Sequence, residues 1–256
     1  MFAHLSDMKA DAENGILRTS AFFTLAEQRR VRTWLGSHSG ALIWGGYENA
    51  ERARVYFLPD FIDAQVLDEG MSVGRMLTEY GYDDPTAILK ITASGFRELS
   101  HRDYMGSVLS LGIERDVIGD IVVADKYSAY LFCDSAILPF ILDNLKKVAN
   151  DAVKITPVES VPSNFGQREY KVIKDTVASG RFDAIVACVC SLSRENAKKL
   201  VSSGMCELNF EVESAPDAEL DAGDIFSIRG YGRYKLQSYD GENRRGRCRI
   251  TVYKYV

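Results

Sequence analysis

The sequence predicts an α+β protein in three parts, and three observations lead there. From Pro85 to residue 160, strand-type and helix-type patterns alternate as β-α-β-β-α-β, the order of a ferredoxin-like or split βαβ domain. Before it, residues 1–84 mix an amphipathic helix with two apolar strands, as an N-terminal α/β domain does. After it, a linker running into a helix is expected over 161–180. A helix pair followed by a basic hairpin closes the chain over 181–256.

The elements follow in order. From Thr19 to Leu35, Phe22, Phe23, Leu25, Ala26, Val31, Trp34 and Leu35 form an apolar stripe with "EQRR" on the wet side, predicting a helix. "ALIWGGY" and "RARVYFLPDF" read as strands joined by "ENAE". Trp34 and Trp44 are assigned to the core. "DEGMSVGRMLTEYGYDDP" gives a short helix and an exit at Pro85.

In the middle domain, "AILKITAS", "DIVVAD", "SAYLFCD" and "AVKITPVE" are strands. "SAILPFILDNLKKVAN" is a helix with Pro139 in its first turn. The stretch "SHRDYMGSVLSLG" contains the His-Arg-Asp tripeptide of a kinase catalytic loop, but five residues past Asp103 stands Val108 where that loop needs an Asn. Neither an Asp-Phe-Gly nor a Gly-rich phosphate loop accompanies it. Ser100 followed by Asp103 instead reads as a helix cap, and Gly112 as the stop. This fold also hosts RNA-recognition modules, whose mark is an aromatic Gly-rich strand motif. Here the central strands carry Tyr130 and Phe132 without that motif, so base stacking by this sheet is an expectation with little support.

At the C-terminal end, Phe182, Ile185, Val186 and Val189 form one helical stripe, and Ser193 caps a second helix. That helix turns Ala197, Leu200 and Val201 inward and Arg194 and Lys198 outward, with Gly204 ending it. "CELNFEV" and "IFSIRG" are strands, and the segment from Arg229 onward alternates as a hairpin whose connection carries Arg244 and Arg245. Tyr231 and Tyr234 either stack on unpaired bases or pack within the strands, and packing is the default.

Composition narrows the function classes. Apolar content of 46% and charged content of 26% are those of a globular protein. No apolar run reaches a membrane span and the N-terminus does not resemble a secretion signal, so a cytoplasmic location is expected. Five cysteines with no C-x-x-C spacing, and only His4, His38 and His101 beside them, predict free thiols and no metal site. No cofactor is expected. Charge is uneven: residues 1–228 carry a balance of −11, residues 229–256 carry +6, and the total is −5. A basic end on an acidic body suits a polyanion partner, and equally a solvated hairpin.

Residues 181–228 resemble the S4 (αL-motif) RNA-binding domain. The residues that carry this are Arg181-Phe182-Asp183, Ser193-Arg194, Ala197-Lys198, Gly204, Asn209 and Gly223-Asp224-Ile225. The resemblance implies that Arg181, Arg194 and Lys198 meet RNA phosphates, with Asp183 a structural partner. Ser193, Lys199, Asn209, Arg229, Arg233, Lys235, Arg244, Arg245 and Arg247 complete the expected RNA-binding set. A rigid row of cations suits a regularly spaced phosphate backbone. "GRFD" at 180–183 is also similar to the catalytic segment of pseudouridine synthases, which keeps an RNA-modifying enzyme as a rival reading.

Three further blocks, "GGYENAER" (45–52), "LSHRDYMGSVLSLGIERDVIGDI" (99–121) and "RGYGRYKL" (229–236), resemble the YlmH family. That resemblance implies an RNA-recognition-like middle domain, a C-terminal S4 domain, and a non-enzymatic role on the large ribosomal subunit and tRNA in rescue of stalled translation. Genes of the family lie near cell-division genes, so cell-division proteins are the rival partners. His101 and Arg102 are possible RNA contacts in the middle domain, and an ion pair is the alternative for Arg102. The oligomeric state is left open.

Overall fold

The computed structural model describes residues 1–36, 40–63, 72–162, 165 and 170–255. His38, residues 68–71 of the expected short helix and residues 163, 164 and 166–169 of the expected linker lie outside them. The chain forms two compact units, residues 1–166 and 167–256. The expected boundary after residue 84 falls inside the first unit.

The first unit begins with α1 (Phe2–Glu13), β1 (Arg18–Thr19), α2 (Leu25–Leu35), β2 (Ala41–Trp44), β3 (Arg54–Phe57) and α3 (Val73–Glu79). The three strands pair antiparallel in the order β1-β3-β2. Central β3 is buried on both faces. Val55 and Phe57 meet Leu5, Val31 and Leu35, whereas Tyr56 packs with Met76 and Leu77. The helix expected from Thr19 begins only at Leu25. Thr24 and Glu27 form a reciprocal capping box that fixes its start, and Phe23 bridges Ala53 in extended form. The sequence reading did not identify α1, which buries only Leu5 and Ala12.

The rest of the first unit runs β4 (Thr86–Ala93), α4 (His101–Leu109), β5 (Ile118–Asp125), β6 (Ser128–Asp134), α5 (Leu138–Asn144), β7 (Lys147–Val148) and β8 (Asp151–Val158). Its sheet is antiparallel in the order β5-β6-β4-β8-β7. Leu89, Ile91, Ile121 and Leu131 of the sheet pack with Tyr104, Val108 and Ile141 of α4 and α5. Alternation sends Tyr130 and Phe132 to the opposite face. There they are 7% and 0% exposed, packed with Tyr47 and Phe165. The expected stacking platform is therefore covered by the protein itself.

That covering rests on a polar knot. The buried Asp120 carboxylate accepts from Tyr47 Oη (2.7 Å), the Glu51 amide (2.7 Å) and the Arg52 amide (3.1 Å). Arg52 donates to the carbonyls of Ile118, Phe22 and Arg115. A side chain at Gly46, where φ is +98°, would drive its Cβ into the Phe132 ring. The blocks 45–52 and 99–121 thus meet, and their residues join β2 and β3 to the larger sheet. Arg54 makes a second joint. The residue is 3% exposed and donates to Ser20 O, Pro85 O and Asp134 Oδ2, the last at 2.7 Å.

The second unit runs β9 (Tyr170–Val177), α6 (Phe182–Val189), α7 (Arg194–Ser202), β10 (Cys206–Leu208), β11 (Glu211–Val212), β12 (Ile225–Ile228), β13 (Gly232–Glu242) and β14 (Cys248–Tyr255). Its six strands follow the order β11-β10-β12-β13-β14-β9. Phe182, Ile185, Val186, Ala197 and Val201 pack onto Phe226, Tyr234, Leu236, Ile250 and Val252. Tyr234 is core, its ring stacked 5.3 Å from that of Phe226. One expectation is corrected. Residues 170–177, expected to lead from a linker into a helix, form a strand paired residue by residue with β14. Val172, Ile173, Thr176 and Val177 are β-branched and favour the extended chain. The pairing covers an edge that β14 would otherwise leave open.

Arg54→Met is expected to destabilise the first unit by about 3 kcal/mol, because it breaks a buried, hydrogen-bonded ion pair. Both tryptophans, Trp34 and Trp44, belong to that unit, so their fluorescence in a urea titration reads it directly. An unchanged midpoint would show that the joint contributes nothing.

Candidate nucleic-acid interface

The centre of the site is a carboxylate. Asp183 lies in the first turn of α6, and its side chain is 3% exposed. Arg181, the residue that precedes the helix, brings Nε within 3.4 Å of Asp183 Oδ1. Arg194, the first residue of α7, brings Nη2 within 2.8 Å of the same oxygen. Two guanidinium groups from different helix starts therefore sit on one side of the module. Their side chains remain 40% and 44% exposed. Two cations against one anion leave a net positive charge facing water.

Burial pushes the Asp183 carboxyl upward, but the hydrogen bonds and charges of Arg194 and Arg181 outweigh it and hold the group below the usual carboxylate range. Lys198 stands one turn beyond Arg194 and is exposed. Ser193 uses its hydroxyl to cap α7, accepting from the Asn196 amide at 3.2 Å. Lys199 pairs with Glu195 at 2.7 Å, both 71% or more exposed; such a pair contributes little.

Asn209 has a structural task. With Phe210 it forms the two-residue turn between β10 and β11, at φ +50° and +70°, the handedness a tight hairpin requires. Its side-chain amide nitrogen donates to Asp224 Oδ1 (2.8 Å), and its side-chain oxygen accepts from the Ile225 amide (3.2 Å). The Asn209 and Gly223-Asp224-Ile225 parts of the motif are thus two halves of one lock.

The remaining cations separate into two groups. Arg247 is tied to β9, donating to Thr176 O at 2.5 Å and Thr176 Oγ1 at 3.2 Å. Arg233 lies over the Phe210 ring at 5.6 Å, and Arg229 lies against Met205 Sδ at 3.9 Å. Lys235 is half-buried in β13, opposite Ile225 and Tyr253. Arg244 and Arg245 occupy the exposed β13–β14 connection, where Asn243 Oδ1 accepts the Arg245 and Arg247 amides. His101 and Arg102 belong to the first unit, exposed in the first turn of α4. The sequence reading missed Lys254, placed over the Tyr234 ring, and the cluster of Tyr170, Tyr253 and Tyr255. The cluster was hidden because β9 was expected as a helix; the β-branched residues of 170–177 were the available signal.

Residues 84–161 match a family model described as "Putative RNA-binding domain in YlmH". A Bacillus subtilis (strain 168) protein, ribosome-associated protein quality control protein P2, is 27% identical over 212 residues, which is 83% of this chain and 77% of that one. Among solved structures, cell division protein ylmH from Streptococcus pneumoniae superposes with a TM-score of 0.43 at 17% identity, over 61% of this chain and 90% of that one. No helix among the described residues is long and apolar enough to cross a membrane.

The Asp183 pairing carries a pH signature. Its folded carboxyl titrates below the unfolded value of about 3.9, so the pairing stabilises the second unit above that pH and is lost as pH falls through the folded value. Asp183→Asn is expected to cost about 2 kcal/mol at pH 7, with the difference from wild type closing below about pH 4. Methyl NMR of Val186 and Val201 along urea series at several pH values reads this. A pH-independent difference would refute it.

Proposed function

We infer that this chain is a member of the YlmH family, on the match of residues 84–161 and the similarity along the chain, and that it is a non-enzymatic RNA-binding protein of the ribosome. It acts in the cytoplasm on the large subunit carrying tRNA, in the rescue of stalled translation. In this reading residues 85–160 are a ferredoxin-like, RNA-recognition-like domain, and residues 181–256 are an S4 domain with a basic hairpin. One observation carries it: Arg181 and Arg194 converge on a single buried carboxylate and keep a face of guanidinium toward solvent. Fixed in this way, they meet phosphate with little ordering of their own. Lys198, Arg244 and Arg245 extend the cationic surface. Ser193, Asn209 and Arg247 support the surface by holding its backbone. The similarity to a ribosome-associated quality control protein supports the choice of RNA.

Alanine at both Arg181 and Arg194 would leave Asp183 buried and unpaired, so that variant tests folding as much as binding. Lys198→Ala/Arg244→Ala/Arg245→Ala leaves Asp183 untouched. Four to six neutralised phosphates correspond to a slope of log affinity against log salt of about −3 to −5. The triple variant is expected to weaken co-sedimentation with ribosomes at least tenfold and to flatten that slope by about 2 to 3. Equal binding and slope in variant and wild type would remove these residues from the interface. Nuclease treatment separates this function from a cell-division scaffold: partners held through RNA are lost, whereas a protein-only assembly keeps them.

A further inference from the structure

The Ser100–Gly106 block is unexplained by the C-terminal surface, and its geometry points to a second RNA contact. Ser100 and Asp103 form a capping box at the start of α4: Ser100 N and Oγ donate to Asp103 Oδ2, and the Asp103 amide donates to Ser100 Oγ. Asp103 Oδ1 also takes Arg97 Nη2 at 2.5 Å. The acid of the block is therefore a clamp on the preceding loop, residues 94–99. A second clamp holds the loop from the other side. Buried Asp151 accepts from the Ser94 amide (3.3 Å) and from the Ser94 hydroxyl. The Ser94 hydroxyl, with the amides of Ser94, Phe96 and Arg97, holds the Asp151 carboxyl below its usual range. Leu99 is 4% exposed in the core and its amide donates to Lys126 O.

A loop fastened this firmly presents Phe96 at 81% exposure, the highest among the large apolar residues described. A solvated phenyl ring has no role in the core. Close to it along the chain are Arg97, 44% exposed and paired with Asp103 of the first turn of α4, and His101 and Arg102 of that same turn, both exposed and without a hydrogen-bond or ion-pair partner among the described residues. The sheet aromatics Tyr130 and Phe132 are covered. The loop thus offers the most exposed aromatic face of this domain, close in the chain to cations, the combination that binds unpaired nucleotides.

We propose that the 94–97 loop and the first turn of α4 form a binding site for an unpaired RNA nucleotide. Phe96 stacks on the base, and Arg97 and Arg102 meet the flanking phosphates. The proposal rests on the ribosome-binding reading above. It is tested on the full chain with purified large ribosomal subunits, using Phe96→Ala, Phe96→Leu and Phe96→Trp. All three should melt as wild type does, given the exposure of the ring. Loss of a base–aromatic stack weakens binding by roughly tenfold, so Ala and Leu are expected to weaken co-sedimentation by about that factor while Trp retains it. Ultraviolet crosslinking with mass spectrometry should place a nucleotide on the peptide spanning the 94–97 loop, both in wild type and in the Phe96→Trp variant. If wild type binds and Phe96→Ala binds equally, this site is refuted and the C-terminal surface stands. If Leu binds as wild type while Ala does not, the ring enters an apolar protein pocket and the RNA assignment is overturned. If wild type does not bind subunits, the functional reading and this site fail together.

Discussion

A carboxylate taken out of water must be neutralised, and in the second unit that requirement organises the surface. Asp183 is buried by the packing of α6 against the sheet, and its partners come from the rim, from the residue before α6 and the first residue of α7. Each guanidinium gives part of its donor fork to Asp183 and keeps the rest toward solvent. The separation of the two arginines is set by one oxygen atom and not by flexible side chains. The basic surface is in that sense a by-product of how a core acid is stabilised.

The first unit solves the same problem differently. Asp120 is met by a tyrosine hydroxyl and two backbone amides, and burial still pushes its carboxyl up. Arg54 answers Asp134 across the joint between the two sheets. Asp120 and its partners lie where the blocks 45–52 and 99–121 meet, so the residues that make the sequence distinctive there build an internal connection. The same connection brings Tyr47 and Phe165 over Phe132. A sheet face that in RNA-recognition modules reads bases is used here for packing.

Several elements were legible because their signals are local. The caps at Ser100 and Ser193, the stops at Gly112 and Gly204, and the stripes of α6 and α7 all depend on residues within one or two turns. Strands β4, β5, β6 and β8 declared themselves by alternation and β-branched content, whereas β7 lies within the stretch expected as a helix, which ends at Asn144. Where the reading differed, partners distant in sequence decided. The 170–177 segment mixes polar and apolar residues and becomes a strand by pairing with β14, at the far end of the same unit. The first turn of the expected helix at Thr19 is extended because Phe23 pairs with Ala53. Asn209 was a candidate contact on resemblance alone, and its hydrogen bonds to Asp224 and Ile225 show it pinning the turn.

By itself the sequence determined which residues are basic and where α4 and α7 begin, since capping, periodicity and charge are properties of neighbours. Only the tertiary structure decided which partner each of those charges holds. Arg247 and Arg181 are the same residue type in the same basic unit, yet one is fastened to a backbone carbonyl and the other shares a buried carboxylate while keeping 40% of its side chain exposed. That difference depends on groups brought together by folding, from Thr176 in one case and Asp183 with Arg194 in the other, and desolvation acts on the final neighbours whatever their distance along the chain.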